Sequence, residues 1–382
     1  MKILTITATP FFSDRGCHMR IYNEAKFLQR FGSVVKICAY HYGKDIGGLD
    51  VERIKEVKWY KRTAPGFSWG KFWLDLKLIF LCRRQIKTFE PDIIHAHLYE
   101  GLGVGYIAKI LAGSSVPIVF DLQGDLEEEF KSYNRKNYAA RHFFVWLSKK
   151  FIGRCDWLVL SSENMLPKIE KIFPYKDRIF VIKDGVDTEL FGEAPKLAGK
   201  EQKKIEEIKE WKGEKKLLVY IGGLSDNKGV GDLLEAFGNF AAPDGEWKLL
   251  VGGFGSDEEK YKRYAKENNF ENFVHFAGKV AYFSLPAFMA LGDAAIDPKR
   301  SSSESSGKLV NLMATKLPII CFDNDFNRSR LEEKGYFMKT FSNLEGILKK
   351  INGREKIEYN LQNVSPKKEV QKLMAIFRLL TK

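Results

Sequence analysis

No stretch of this 382-residue chain approaches the 18 or so consecutive apolar residues of a membrane-crossing helix, although apolar residues make up 45% of it. The opening MKILTITATPFF has no charged start, long apolar core and small-residue cleavage site, so no signal peptide is expected. Cysteine is scarce: Cys17, Cys38, Cys82, Cys155 and Cys321 form an odd set without metal-ligand spacing. That pattern suits reduced thiols in a cytoplasm. Acidic residues are outnumbered, 49 against 62 Lys and Arg, leaving a net charge of +13. A basic surface attracts nucleic acid, anionic lipid or acidic small molecules, and charge alone does not choose among them. No nucleic-acid recognition motif is present and the aromatics sit on apolar-looking helices, so no nucleic-acid partner is expected.

The chain is too long for one ordinary core, and its pattern restarts once. KILTITATP reads as a buried strand, FFSDRGCHMR as a polar turn, IYNEAKFLQRFG as a helix stopped by Gly32, and VVKICAY as a second strand. This opens a doubly wound α/β domain, with Gly16 where a backbone can approach a ligand. PDIIHAHLYEG is a buried strand ending in His97 and Glu100, and PIVFDLQGDLEEEF carries Gln123 at its tip. His95 and His97 are expected on opposite sides of their strand, so no metal pair is expected there. A charged linker and helix, residues 193–216, precedes KLLVYIGGLSDNKGVGDLLEAFGNF, again strand, glycine turn and helix. Two similar halves of this kind would leave a cleft between them.

Two segments mix aromatic and basic residues. Residues 58–84 interleave Trp59, Tyr60, Phe67, Trp69, Phe72 and Trp73 with Lys58, Lys61, Arg62, Lys71 and Lys77, and residues 135–154 form a second such helix. Each basic side chain is worth about 1 kcal/mol at an anionic bilayer, and Trp favours the interface. Contact with an anionic membrane surface competes with plain packing on the sheet.

Residues 297–322, DPKRSSSESSGKLVNLMATKLPIICF, read as a small polar loop, a helix and a buried strand. A glycine- and serine-rich entry leaves backbone N–H groups free at a helix end that carries about +0.5 of an elementary charge. A phosphate is the natural ligand, and an ordinary loop before a core helix is the plain alternative. Asp323-Asn324-Asp325 follows as a solvated turn.

Four segments resemble the motifs of retaining GT-B glycosyltransferases of the large group-four family. IKDGVDTELF is similar to that family's N-G-V-D-x-x-x-F. YIGGLSDNKGVGDLLEAF is similar to G-R-L-x-x-x-K-G-x-x-x-L-L-E-A-F, and LLVGGFG to L-x-I-x-G-x-G. The stretch from Ser301 to Pro318 is similar to S-x-x-E-x-x-G-x-x-x-x-E-x-M-A-x-G-x-P. Their order and spacing cover most of residues 180–322, while the N-terminal half matches more loosely.

The resemblance implies two Rossmann-like doubly wound domains facing a central cleft: an acceptor domain over 1–190, a nucleotide-sugar domain over 191–365, and a helix, 366–382, returning to the first. It implies a glycosyltransferase that moves a sugar from a nucleotide-sugar to a hydroxyl acceptor with retained configuration. No metal or other cofactor is required. The acceptor would be lipid-linked or a cell-surface glycan precursor, and the enzyme cytoplasmic, peripheral on the inner face of the membrane. Lys228 matches the lysine that grips the donor diphosphate, and Glu304 the glutamate that contacts the donor sugar. Gly222, Ser305, Ser306 and Gly307 belong with them around the donor. His97 and Glu100 are acceptor-side candidates.

Three departures stand out. The family arginine is Gly223, whose charge Lys299, Arg300 or Lys308 could supply. The ribose-binding glutamate falls at Asn311, which loses a bidentate charged grip. The first-domain histidine near the reacting sugar falls at Gln123. They keep other readings open: a GT-B scaffold that binds without turnover, a sugar-nucleotide epimerase, or a phosphorylase of the same fold, whose cofactor lysine has no counterpart.

Overall fold

The protein, represented by a computed structural model, is described at every residue except 15, 61–67, 125–145, 147–149, 193–196, 301–306, 354 and 382. It divides into two compact units. The first comprises Met1–Gly185 with the C-terminal segment Pro366–Lys382, and the second takes most of the chain between them.

The first unit is built on a seven-stranded sheet. Its strands are β1 (Lys2–Thr7), β2 (Val34–Ala39), β3 (Asp50–Arg53), β4 (Ile93–His97), β5 (Ile118–Leu122), β6 (Trp157–Leu160) and β7 (Ile179–Val181), ordered β3-β2-β1-β4-β5-β6-β7. Every neighbouring pair is parallel. A parallel sheet covered on both faces wants continuous apolar strands, and β1 supplies Ile3, Leu4 and Ile6, all fully buried. Leu4, Ile6, Ile94, Ala96, Ile118 and Phe120 pack under α2 (Trp69–Thr88) and α3 (Leu98–Ala112).

The opposite face meets α1 (Gly16–Arg30) and the C-terminal helix, residues 366–380. His95 and Phe377 rings lie 5.2 Å apart, and the Ser33 hydroxyl donates to Met374 Sδ at 3.5 Å. Two expectations change here. Residues 16–20, expected in a polar turn, are the first turns of α1. The buried face of that helix carries His18, Arg20, Asn23 and Glu24, so apolar periodicity could not reveal it. Glu100 is not at a strand tip. The strand ends at His97, the chain turns through Leu98 at φ 63, and Glu100 stands in the first turn of α3.

The second unit repeats the plan with six parallel strands: β8 (Lys216–Gly223), β9 (Trp247–Phe254), β10 (Val274–Gly278), β11 (Ala294–Asp297), β12 (Ile319–Phe322) and β13 (Tyr336–Met338), ordered β10-β9-β8-β11-β12-β13. The helix from Gly199 to Lys212, within the expected charged linker, buries Ile205 and Ile208 against this unit. Asn324 caps a short helix, accepting from the Asn327 N–H at 2.9 Å, while Asp323 pairs with Arg328. In each sheet the order reverses once, between β1 and β4 and between β8 and β11. The carboxyl ends of strands at such a reversal are where doubly wound sheets bind ligands. None of the five cysteines is in a disulfide, and no described helix is long and apolar enough to cross a membrane.

Candidate active site

In the second unit, β8 runs out into Gly222 and Gly223 at the reversal point. The Tyr220 hydroxyl donates to the Gly223 carbonyl at 2.8 Å, which fixes this end of the strand. Lys308, second residue of the helix Gly307–Ala314, lays its ammonium 4.3 Å from the Tyr220 ring centroid and 3.5 Å from Asp297 at the tip of β11. Burial alone would lower the Lys308 pKa, but the Tyr220 and Asp297 partners outweigh it and hold it above the ordinary lysine value. A Cβ added to Gly222 would meet that ammonium at 2.7 Å, so only glycine leaves Lys308 its place. A Cβ on Gly223 would meet one described neighbour, Lys228 Cγ, at 3.9 Å.

Lys228 closes the short turn Asp226–Lys228, and Gly229 follows it at φ 74. Gly229 abuts Pro298, the residue after β11, which carries the chain into Lys299. Gly222, Gly223, Lys228, Lys308 and the Asp297–Pro298 corner therefore share one end of this sheet. Asn311 stands one turn further along the Lys308 helix and is largely buried. Glu304, Ser305 and Ser306 lie outside the described residues.

In the first unit, the polar residues at the reversal point are buried. Arg20 donates through Nε and a terminal nitrogen to both Asp121 oxygens, at 2.8 and 2.9 Å. It also donates to the Ile182 carbonyl at 2.8 Å and to Asp184 at 2.9 Å, and Glu24 lies 3.1 Å from its Nε. Burial would raise the Asp121 pKa, yet the Arg20 charge and His97 keep it well below the usual carboxylate range. Burial pushes Glu24 up and His95 down. His97 Nδ1 lies 2.9 Å from Asp121 Oδ2, and the Gln123 amide donates to that same oxygen at 3.0 Å.

The expected separation of His95 and His97 across the strand is wrong. Side chains alternate along a strand, so residues two apart share a face, and the two rings lie 4.2 Å apart. His97 is 1% exposed and turned inward, whereas Glu100 pairs with Lys71 at 2.9 Å. Gly16 opens α1, and a Cβ there would meet nothing within 4 Å. Sequence reasoning missed Arg20, Glu24, Asp121 and Asp184. The available signal was a carboxylate inside the apolar run IVFDL, since a buried charge needs a partner.

Residues 15–190 match the family model described as Glycosyltransferase Family 4, and residues 201–363 match Glycosyl transferases group 1. The chain belongs to the group-four GT-B glycosyltransferases. This glycosyltransferase is 23% identical over 342 residues to an alpha-monoglucosyldiacylglycerol synthase of Streptococcus pneumoniae, spanning 87% of this chain and 74% of that protein. Among solved structures it resembles Anabaena HepE in complex with UDP and glucose, with a TM-score of 0.72 and 18% identity over 99% of this chain and all of that one. It also resembles the catalytic domain of Arabidopsis thaliana starch synthase IV bound to ADP and acarbose, with a TM-score of 0.75 and 13% identity, covering 100% and 99% of the two chains. Both likenesses carry the two-domain α/β GT-B fold.

Proposed function

We propose that this glycosyltransferase moves a sugar from a nucleotide-sugar to a hydroxyl of a lipid-linked or cell-surface glycan precursor, with retention at the anomeric carbon. One observation carries the reading: a Cβ at Gly222 would meet the Lys308 ammonium and one at Gly223 the Lys228 side chain, so both lysines adjoin the tip of β8. Two cations beside exposed backbone at a sheet reversal suit a diphosphate. As the glycosidic bond breaks, negative charge grows on the leaving nucleoside diphosphate, so this attraction strengthens in the transition state and counts toward rate. Lys308, tethered to Asp297, supplies the positive charge that the family arginine would bring at position 223.

The remaining roles follow the family pattern. Lys299 and the amide end of the helix at Gly307 assist the phosphates, with Ser305 and Ser306 beside them. Glu304 meets the donor sugar and Asn311 the ribose. In the first unit Gly16 lets the backbone approach the ligand. Gln123, held by Asp121, presents its carbonyl toward the reacting sugar, and Glu100 stands on the acceptor side. UDP in one fold relative and ADP in another make both bases worth offering.

A lipid acceptor is supported by the diacylglycerol-linked chemistry in the name of the Streptococcus relative and by the outer face of α2. Trp73, Lys77, Phe80, Arg84 and Lys87 follow one another along that exposed face. Arg83 Nε donates to the Leu111 carbonyl at 2.9 Å, which sets exposed Leu111 and Ile107 of α3 beside it. Lys150 lies over the exposed Trp146 ring at 4.2 Å. Such a surface suits an anionic bilayer face. The experiment is a panel of UDP-, ADP- and GDP-sugars with lipid extract, read by product mass and by the anomeric proton of the new linkage. An α-linkage from an α-donor supports the proposal. Donor binding without product from any pair would favour a non-catalytic scaffold.

A further inference from the structure

The buried cluster between α1 and β4 holds four polar atoms with no described partner: Glu24 Oε2, both ring nitrogens of His95, and His97 Nε2. Glu24 is 6% exposed, and the two histidines 1% each. Orphaned polar atoms at such depth are costly, and three of them face one another. Glu24 Oε2 lies 3.9 Å from His95 Nε2 and 3.8 Å from His97 Nε2. These gaps are too long for hydrogen bonds. The Asp121 contact decides the His97 tautomer. Ionised Asp121 can only accept, so His97 Nδ1 carries the hydrogen, which leaves Nε2 as the ring atom open to a ligand. That atom faces the Glu24 carboxylate oxygen.

We propose that Glu24 Oε2, His95 Nε2 and His97 Nε2 form a binding site for one borderline divalent cation, zinc in the first instance, that fastens α1 to β4. Two donors about 2.1 Å from one ion stand about 3.4 Å apart in a tetrahedral site, so each Glu24 gap closes on an ion with a small inward shift of the side chains. Donor atoms of Glu24, His95, His97 and Asp121 all lie within 4.8 Å of one another. Asp121 stands behind His97 as the carboxylate that orients a zinc-bound imidazole, an arrangement typical of zinc-bound histidines. Two imidazoles and one carboxylate favour zinc or cobalt over magnesium or calcium. The ion would be structural.

The test uses the full chain, stripped with a chelator and then titrated with ZnCl2 or CoCl2. The expected results are about one zinc retained per chain after desalting, a rise in melting temperature, and visible Co²⁺ ligand-field bands. Glu24→Gln, which keeps the side-chain shape, should weaken zinc binding at least tenfold and change the cobalt spectrum. His95→Ala should abolish both if it folds, as judged by circular dichroism. Wild-type protein that retains no metal, or retains it equally in Glu24→Gln, would overturn the assignment and leave a trapped water as the occupant.

Discussion

Gly229 packs so tightly on Pro298 that a Cβ at position 229 would lie 2.1 Å from the Pro298 carbonyl oxygen. This contact ties the turn bearing Lys228 to the loop that leaves β11. The residue also sits at φ 74, where an L side chain is strained. Gly229→Ala should therefore cost about 2–4 kcal/mol, from backbone strain and displacement of that loop. Gly223→Ala, whose Cβ would make one ordinary contact at 3.9 Å, is the control and should leave unfolding within about 0.5 kcal/mol of wild type. Urea unfolding of the two variants checks the difference.

Stability should fall with rising pH through one residue of α2. Burial raises the Asp75 carboxyl to about 7, opposed by the Tyr40 hydroxyl that donates to it at 2.5 Å. Glu100 adds to the rise and Lys71 opposes it. The folded state thus favours the protonated form. That contribution is complete below the unfolded value of about 3.9 and is lost as pH climbs to about 7. Asp75→Asn keeps an acceptor for Tyr40 and should match wild type near pH 4. At pH 8 it should be more stable by about 2–4 kcal/mol, measured by denaturant titration at both pH values.

Arg20 bridges α1, β5 and the segment after β7 through Asp121, Asp184 and the Ile182 carbonyl. Arg20→Met would strand buried carboxylates and should cost about 3–5 kcal/mol. Arg20→Lys should recover only part of that, because an ammonium cannot reproduce the planar two-pronged contact with Asp121. Thermal unfolding of the two variants gives the comparison.

The exposed α2 face predicts salt-sensitive binding to anionic vesicles. Replacing Trp73 and Phe80 by Ser should reduce partition into phosphatidylglycerol-containing vesicles at least tenfold. Lys77→Glu with Arg84→Glu should weaken it at low salt and matter less at 0.5 M, as screening requires. Co-sedimentation at two salt concentrations separates the effects, and equal binding by all variants would remove α2 from the surface.

The second unit was readable because its chemistry is contiguous: a strand, two glycines, a lysine and a later helix entry lie in short local patterns. The resemblance to the family's lysine picked out Lys228, whereas the approach of Lys308 to Gly222 comes from the sheet that sets β11 beside β8. The first-unit cluster was not readable in that way. Arg20, His97, Asp121 and Asp184 come from four segments, and only the register pairing His97 with Asp121 makes them neighbours. The misassigned strand faces of His95 and His97 concealed the rest. The start of α1 was hidden for a related reason, since its buried side carries polar residues, His18 hydrogen-bonded to Thr9 and Arg20 paired with Asp121, instead of apolar ones.

The most direct test of the central claim is steady-state release of nucleoside diphosphate by Lys228→Ala and Lys308→Met, using the donor that the panel selects. If both lysines stabilise the departing diphosphate, each variant should lose about 10²–10³-fold in kcat/KM with kcat falling, and folding should be unchanged by circular dichroism. Turnover equal to wild type in both variants would contradict it.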